Sequence, residues 1–498
     1  MFTLVLDIML VSILLSPLVW YMSIRIGFRQ LFLIFLLGVL TATGISLVSL
    51  YREVSEKGIA LATFGAFSQP PFGVCLELDA LSVFMAIVQV SMLFMAIISS
   101  WGQAKEVKNE LLYYILLLLI TVGMIGVAFA GDLFTLYIFW ELMCISSYVL
   151  VSYGSNEEEA SEASVKYLLM SSVGGITLLF AISLLYSLIG TTNLAFIGAS
   201  LASGQSNSLL LLAKGLFIFG YCLQTGIAPM HTWLPNAHSA APSAVSVILS
   251  GAMVETGCYA LVRTLLVSSF PMSSTIQGLL LFLALFSAFI GNLSALLQDD
   301  LKRLLAFSTI ANMGYVLFGI AMGTVGGLTG ALFHILNHAM SKGLLFLCAG
   351  AFELRAGSRS LNALSGISHT MTVTYVSFFI GAFSLAGFPL FGGFWSELLI
   401  IKSAFNVGAL PLILILALNM ILSMAYSLRM VCILTLKPQT EASKNAKEAP
   451  SLLLLPIVVL AFLCVFIGLF PNSFYALSES AATSAMDIET YFKAVLGT

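Results

Sequence analysis

The stretch VGGLTGALFHILNHAMSKGLLFLCAGAF, residues 325–352, decides how the chain is to be read. It is longer than the roughly 20 apolar residues that cross a bilayer. Yet it carries His334, His338 and Lys342 at i, i+4 and i+8, which puts them on one stripe of a helix. A charged side chain near the bilayer centre costs about 3 kcal/mol on insertion scales. Histidine exchanges protons near neutrality without special tuning. The stretch predicts a membrane helix whose stripe either relays protons or anchors a neighbouring helix.

The rest of the chain repeats the pattern. Of 498 residues, 60% are hydrophobic and 9% charged, and the mean hydropathy is +1.05. Soluble domains carry about 25% charged residues. The sequence predicts an all-α membrane protein of about fourteen transmembrane helices. They fall near 3–22, 29–51, 79–101, 111–130, 132–153, 164–190, 207–229, 241–267, 275–297, 301–323, 325–352, 371–404, 409–433 and 451–470. Residues 2–22 are too long and too poorly flanked for a cleaved signal peptide and read as the first span. The tail, 471–498, is weakly amphipathic and reads as lying at the membrane surface. The seven cysteines form no CxxC pair, no GxGxxG follows a strand-like run, and no Walker motif or long charge run is present. The chain is expected to hold no cofactor, no metal and no nucleic acid.

Charge asymmetry orients the spans. Loops after odd-numbered spans hold Arg25, Arg29, Lys105, Lys108, Lys302, Arg303, Arg355, Arg359, Lys437, Lys444 and Lys447, with Lys166 on the same side. The other side holds little beyond Arg52, Lys57, Arg263 and Lys493. A multi-pass protein of the cytoplasmic membrane with both termini on the non-cytoplasmic side follows. Spans seven and twelve are interrupted at 225–231 and 386–393 by Gly226, Pro229, Gly387, Pro389, Gly392 and Gly393. Broken backbone at membrane depth is tolerated only beside protein or a water-filled cavity. Two breaks five spans apart suggest two five-helix repeats. The expected organisation is helices 1–3 in 1–110, a first repeat in 111–267, a second in 275–433, and helix 14 with the tail in 434–498.

Five more titratable groups stand inside predicted spans: Glu141, Glu255, Glu397, Lys214 and Lys402. Each has a bland reading beside the sharp one. Glu141 and Glu397 are relay groups or helix-packing carboxylates. Glu255 is a relay group or a structural partner of Lys214 or Lys342. Lys214 either joins the row or snorkels to the surface. Lys402 does not share a clean helical face with Glu397. His231 and His238, near a break and a loop, read as structural or solvent-facing. Asp300, Lys302 and Arg303 read as a solvated helix start.

Several segments together carry a resemblance. They are the surroundings of Glu141 at 137–142, the run APMHTWLPNAH at 228–238 followed by Ala241, Pro242 and Ser243, the run DLKRLLAFS at 300–308, and HILNHAMSK at 334–342. Over roughly residues 75–435 the chain resembles an antiporter-like proton-conducting subunit of respiratory complex I. The same family serves F420H2 dehydrogenases, group 4 membrane-bound hydrogenases and Mrp-type antiporters. The resemblance implies two inverted five-helix repeats, each with a half-channel, joined by a central charged row. It matches Glu141 to the family glutamate of helix five and Glu397 to the terminal group of helix twelve. The chain departs from the family at two places. The lysine expected on helix seven is Gln224, with Lys214 about 15 Å away along the axis. The lysine often found on helix eight is Glu255.

The leading functional expectation is a non-redox, proton-translocating subunit of an oxidoreductase complex. Its relay would run through Glu141, Glu255, His334, His338, Lys342 and Glu397, with Lys214 and Gln224 as further candidates. Partners would be other antiporter-like and small membrane subunits, peripheral redox subunits carrying iron–sulfur clusters, and lipid. The alternatives are a subunit of an Mrp-type sodium/proton antiporter and a transport-inactive structural subunit of a membrane arm.

Overall fold

The computed structural model describes residues 4–64, 74–101, 109–154, 156–202, 208–269 and 272–497. Lys105 and Lys108, used above for orientation, lie outside them. In chain order the elements are α1 (Leu4–Ile26), α2 (Gln30–Lys57), β1 (Ala60–Phe64), β2 (Val74–Leu78), α3 (Ala80–Trp101), α4 (Glu110–Phe129), α5 (Leu133–Val151), α6 (Glu157–Ile189), α7 (Leu194–Ala202), α8 (Ser208–Gln224), α9 (Trp233–Ala240), α10 (Ser243–Ile248), α11 (Val254–Ser269), α12 (Ser274–Leu297), α13 (Leu301–Ala321), α14 (Val325–Ala356), α15 (Thr372–Leu385), α16 (Gly392–Asn406), α17 (Leu410–Leu436), α18 (Glu441–Asn445), α19 (Ser451–Leu469), α20 (Pro471–Met486) and α21 (Ile488–Leu496).

Twelve helices among the described residues are long and apolar enough to cross a membrane. Two shorter apolar helices, α8 and α15, stand where the sequence predicts interrupted spans. Their breaks follow from local chemistry. Gly226 and Gly387 take positive φ of 70° and 68°, a backbone state costly for residues with a Cβ. A proline, Pro229 or Pro389, follows within three residues. The chain resumes as α9 after the first break and α16 after the second. The segment α10–α11 is one continuous run with a π turn at Leu249–Met253, just before Glu255. Such widened turns gather at functional places in helices.

The centre of the bundle is α10–α11, α13 and α14, whose apolar windows are wholly buried. The outer helices α1, α2, α6 and α17 turn large apolar residues outward, among them Leu14, Ile45, Ile176 and Ile421. That division suits helices facing lipid or other chains around a protein-facing core.

Two features add to the predicted helices. Residues 60–64 and 74–78, outside every predicted span, are strands: β1 and β2 pair antiparallel, with Ala60 opposite Leu78. Two-residue alternation places Cys75, Glu77 and Asp79 along one side of the β2 end. The tail does not merely lie at a surface. Helices α20 and α21 pack on α3, α7 and α14, and Tyr491 is buried.

Candidate functional site

Glu255 and His338 meet at the middle of the molecule. Both are fully buried, and His338 Nδ1 lies 2.8 Å from Glu255 Oε1. Among the described residues, Glu255 Oε2 and His338 Nε2 have no protein partner. An unpaired buried polar atom is costly unless water or a proton carrier reaches it. The pair thus leaves two hydrogen-bonding positions open to a proton carrier, with Lys342, His334 and His238 close by.

Around His334 the polar groups form a continuous chain. Its Nε2 lies 3.0 Å from Asn312 Oδ1, and its Nδ1 lies 2.9 Å from Ser396 Oγ. Asn312 donates through Nδ2 to the Ser308 carbonyl (2.7 Å). Lys342 Nζ donates to the Leu305 carbonyl (2.7 Å) and to Ser308 Oγ. The hydrogen-bond directions matter. With Asn312 fixed in this orientation, Oδ1 only accepts, so His334 carries a proton on Nε2. Neutral His334 then accepts from Ser396 at Nδ1. Protonated His334 instead donates to Ser396, whose hydroxyl has the Gly393 carbonyl as its alternative acceptor at 2.9 Å. Both protonation states are satisfied without moving a heavy atom, as a relay station requires. His334 and His338 are linked along α14, with ring centroids 6.5 Å apart.

Glu397 follows Ser396 on α16, just past the second break. It is buried, and its Oε1 has no partner among the described residues. A Cβ on Gly387 would collide with its carboxylate. Glu141 on α5 is held in the same way: a Cβ on Gly175 of α6 would strike Oε1. Each carboxylate sits in a notch that only glycine leaves open.

The first half of the row is joined by neutral groups. Gln224 Nε2 donates to the Tyr167 hydroxyl (2.6 Å), and Gln224 Oε1 accepts from Ser171 (3.3 Å). Ser147 donates to Tyr167 (2.8 Å). This network stands between the Glu141 notch and Met253, two residues before Glu255. Lys214 is half-buried on α8, and among the described residues no carboxylate lies within ion-pair distance of it. Lys402 lines a separate recess of about 250 Å³ with Thr324, Ser403 and Tyr475.

One reading from sequence is corrected, and two are sharpened. His238 is not solvent-facing: it is fully buried, stacked on Phe346 at 4.6 Å, and neither ring nitrogen has a partner among the described residues. Lys302 is not solvated: it is buried and paired with Glu353 at 2.6 Å. Arg263 lies inside the predicted span 241–267 and does not stand alone there. It lies buried on α11 and grips Asp79 through two hydrogen bonds of 2.8 and 2.7 Å. Near His238 a polar recess of about 360 Å³ opens, lined by Asn156, Glu159, Ser239, Lys302, Glu353 and Arg359 among others. Asn312, Ser396 and Tyr167 went unmarked because an uncharged residue in an apolar helix has no insertion cost large enough to notice.

A helical membrane fold with two interrupted helices and a buried row of titratable groups defines an ion-translocating class. Comparison narrows it: residues 130–423 match the family described as NADH:quinone oxidoreductase/Mrp antiporter, transmembrane, and the chain belongs to that family. It is 29% identical over 458 residues to a Na(+)/H(+) antiporter subunit from Alkalihalophilus pseudofirmus, covering 91% of this chain and 92% of that one. It is 30% identical over 419 residues to an NADH-quinone oxidoreductase subunit from Desulforudis audaxviator, covering 80% and 83%. A chain in the solved Mrp complex from Dietzia sp. superposes with a TM-score of 0.90 at 26% identity, covering 99% of this chain and 100% of that one.

Proposed function

We propose that this chain conducts protons through its buried row as a membrane subunit of a multi-subunit complex. The observation that carries the reading is the Glu255–His338 contact, with one unpaired oxygen and one unpaired nitrogen in a buried setting. Protons would be taken up through the recess beside His238 and Lys302. They would pass by Lys342 and Ser308 to the His334–Asn312–Ser396 chain and Glu397, and between His338 and Glu255. Coulomb coupling makes the row respond as a unit: two charges about 4 Å apart interact by about 4 kcal/mol at an effective dielectric of 20. Gln224 and Tyr167 would carry the link to Glu141 by hydroxyl and water relay.

In the first reading the complex is an oxidoreductase of the cytoplasmic membrane, and electron transfer in peripheral subunits drives the protons. The NADH-quinone oxidoreductase relative supports it. The chain itself then holds no redox centre and acts as a translocase subunit. The second reading, an Mrp-type sodium/proton antiporter, is favoured by the antiporter relative, which matches nearly the whole chain. Purified complex in proteoliposomes separates them. Proton uptake that needs an electron donor supports the first. Sodium-driven proton exchange without a donor supports the second. No proton movement under either condition overturns both.

A further inference from the structure

Along α11, Glu255, Tyr259 and Arg263 recur at i, i+4 and i+8, so one stripe leads from the central pair toward the β-hairpin. The first turn of this stripe rises about 6 Å. Beside it, Gln89 Nε2 donates to Thr256 Oγ1 (2.9 Å), and Gln89 Oε1 is buried without a partner among the described residues. At the next turn the Tyr259 hydroxyl lies 3.3 Å from Ser82 Oγ, and Ser82 donates to Asp79 Oδ1 (2.8 Å). Arg263 Nε donates to the Tyr259 hydroxyl (3.1 Å) and its fork clamps Asp79. Two residues away on the β2 side stands Glu77, also buried, which accepts from the Tyr491 hydroxyl of α21 (2.6 Å).

Beyond this cluster the space opens in two steps. A cavity of about 10 Å³ touches Arg263, Ser484 and Tyr491. That is the size of a single water. Ser484 also lines a wide recess of about 520 Å³ with Ser55, Glu479, Thr483, Asp487 and Thr490. Glu77 shares one more trait with Glu141 and Glu397: a Cβ on its neighbour, Gly131, would collide with the carboxylate.

Resting on proton conduction as proposed above, we infer that Glu77 is the last proton-holding group of an outlet. It leaves Glu255 along α11 and opens between the hairpin and the C-terminal helices. A proton leaves the Glu255 carboxyl through water beside Thr256 and Gln89. It adds to the Tyr259 hydroxyl oxygen as that hydroxyl turns from the Ala128 carbonyl, its acceptor at rest (2.6 Å), to give its own proton to Ser82 Oγ, and Ser82 gives its own proton through water to a Glu77 carboxylate oxygen. One proton enters and one leaves each hydroxyl, so no net charge is left behind. Arg263 and Asp79 position the hydroxyls. The proton rests on Glu77 and departs past Tyr491 through the one-water cavity. Burial lifts the Glu77 carboxyl to about 7, against the lowering effect of the Tyr491 hydrogen bond, Arg263 and Cys75. Asp79 acts with burial, and Asp132 faces the same pocket through the Cys75 amide. Glu77 is therefore balanced to take and give a proton near neutrality.

The test uses the assembled complex in vesicles, with proton movement followed as a function of pH. Glu77→Gln and Tyr259→Phe are each expected to slow it at least about tenfold, and Glu77→Asp to restore part of it. Tyr491→Phe removes a bond that favours the carboxylate, so the midpoint around pH 7 should move upward. Unchanged rate and pH profile in Tyr259→Phe and Tyr491→Phe overturn the outlet, whether or not Glu77→Gln assembles. If Glu255→Gln is silent as well, the conduction reading itself has failed. If Glu255→Gln stops transport while the outlet variants do not, only the outlet has.

Discussion

At the scale of single residues, the centre of the molecule turns on which buried atoms lack partners. Glu255→Gln keeps the shape and a hydrogen bond to His338 Nδ1 but cannot hold a proton. Proton movement in the assembled complex should fall at least about tenfold while assembly on native gels stays intact. An active Glu255→Gln complex would reduce the pair to a packing contact. His334 argues the complementary case. Asn312→Leu removes its fixed acceptor and leaves Nε2 buried without one, at a cost of about 1–3 kcal/mol in thermal stability. Charged residues were legible in the sequence because their insertion cost is large, so the row of Glu141, Glu255, His334, His338, Lys342 and Glu397 stood out. Their partners were not legible. Asn312, Ser308, Ser396 and Tyr167 owe their roles to long-range packing, such as the 62-residue separation between His334 and Ser396.

At the scale of elements, glycine decides where helices break and where carboxylates fit. Gly387 combines positive φ with a Cβ position that would collide with Glu397. Gly387→Ala should therefore cost about 1–3 kcal/mol and displace the Glu397 carboxylate, lowering proton movement as well as melting temperature. Gly215 on α8 supplies the contrast. Among the described residues nothing lies within 4 Å of its Cβ position, and its φ is not positive. Gly215→Ala should be neutral or stabilise by up to about 1 kcal/mol. Thermal melting of the two variants side by side separates a notch from an incidental glycine. Both breaks were legible because glycine and proline punctuate helices strongly. The hairpin was not. Its strands are five residues each, and a short apolar run does not announce its period.

At the scale of the whole molecule, one buried ion pair ties together segments far apart in the chain. Asp79 heads α3, Arg263 closes the α11 stripe, and Glu77 beside them meets Tyr491 near the C-terminus. Both partners are almost fully buried, with side-chain exposures of 4% and 7%. Removing one leaves the other as an uncompensated buried charge, which costs about 3–5 kcal/mol. Replacing both with apolar groups removes the desolvation penalty along with the attraction, and is often close to neutral. Arg263→Met alone should therefore lower the melting temperature of the complex sharply. The double variant Arg263→Met with Asp79→Leu should recover most of the loss. Hydrogen exchange then locates the damage. Amides of β2 and α21 should exchange faster in Arg263→Met, because the hairpin and the C-terminal helix meet through this cluster. Amides of α13 and α14 should hold, since their packing at the bundle centre does not pass through it. Equal loosening everywhere would mean the pair supports the bundle as a whole. Local loosening, with transport lost in both the single and the double variant, would mean the charge pair serves proton passage as well as fastening this face.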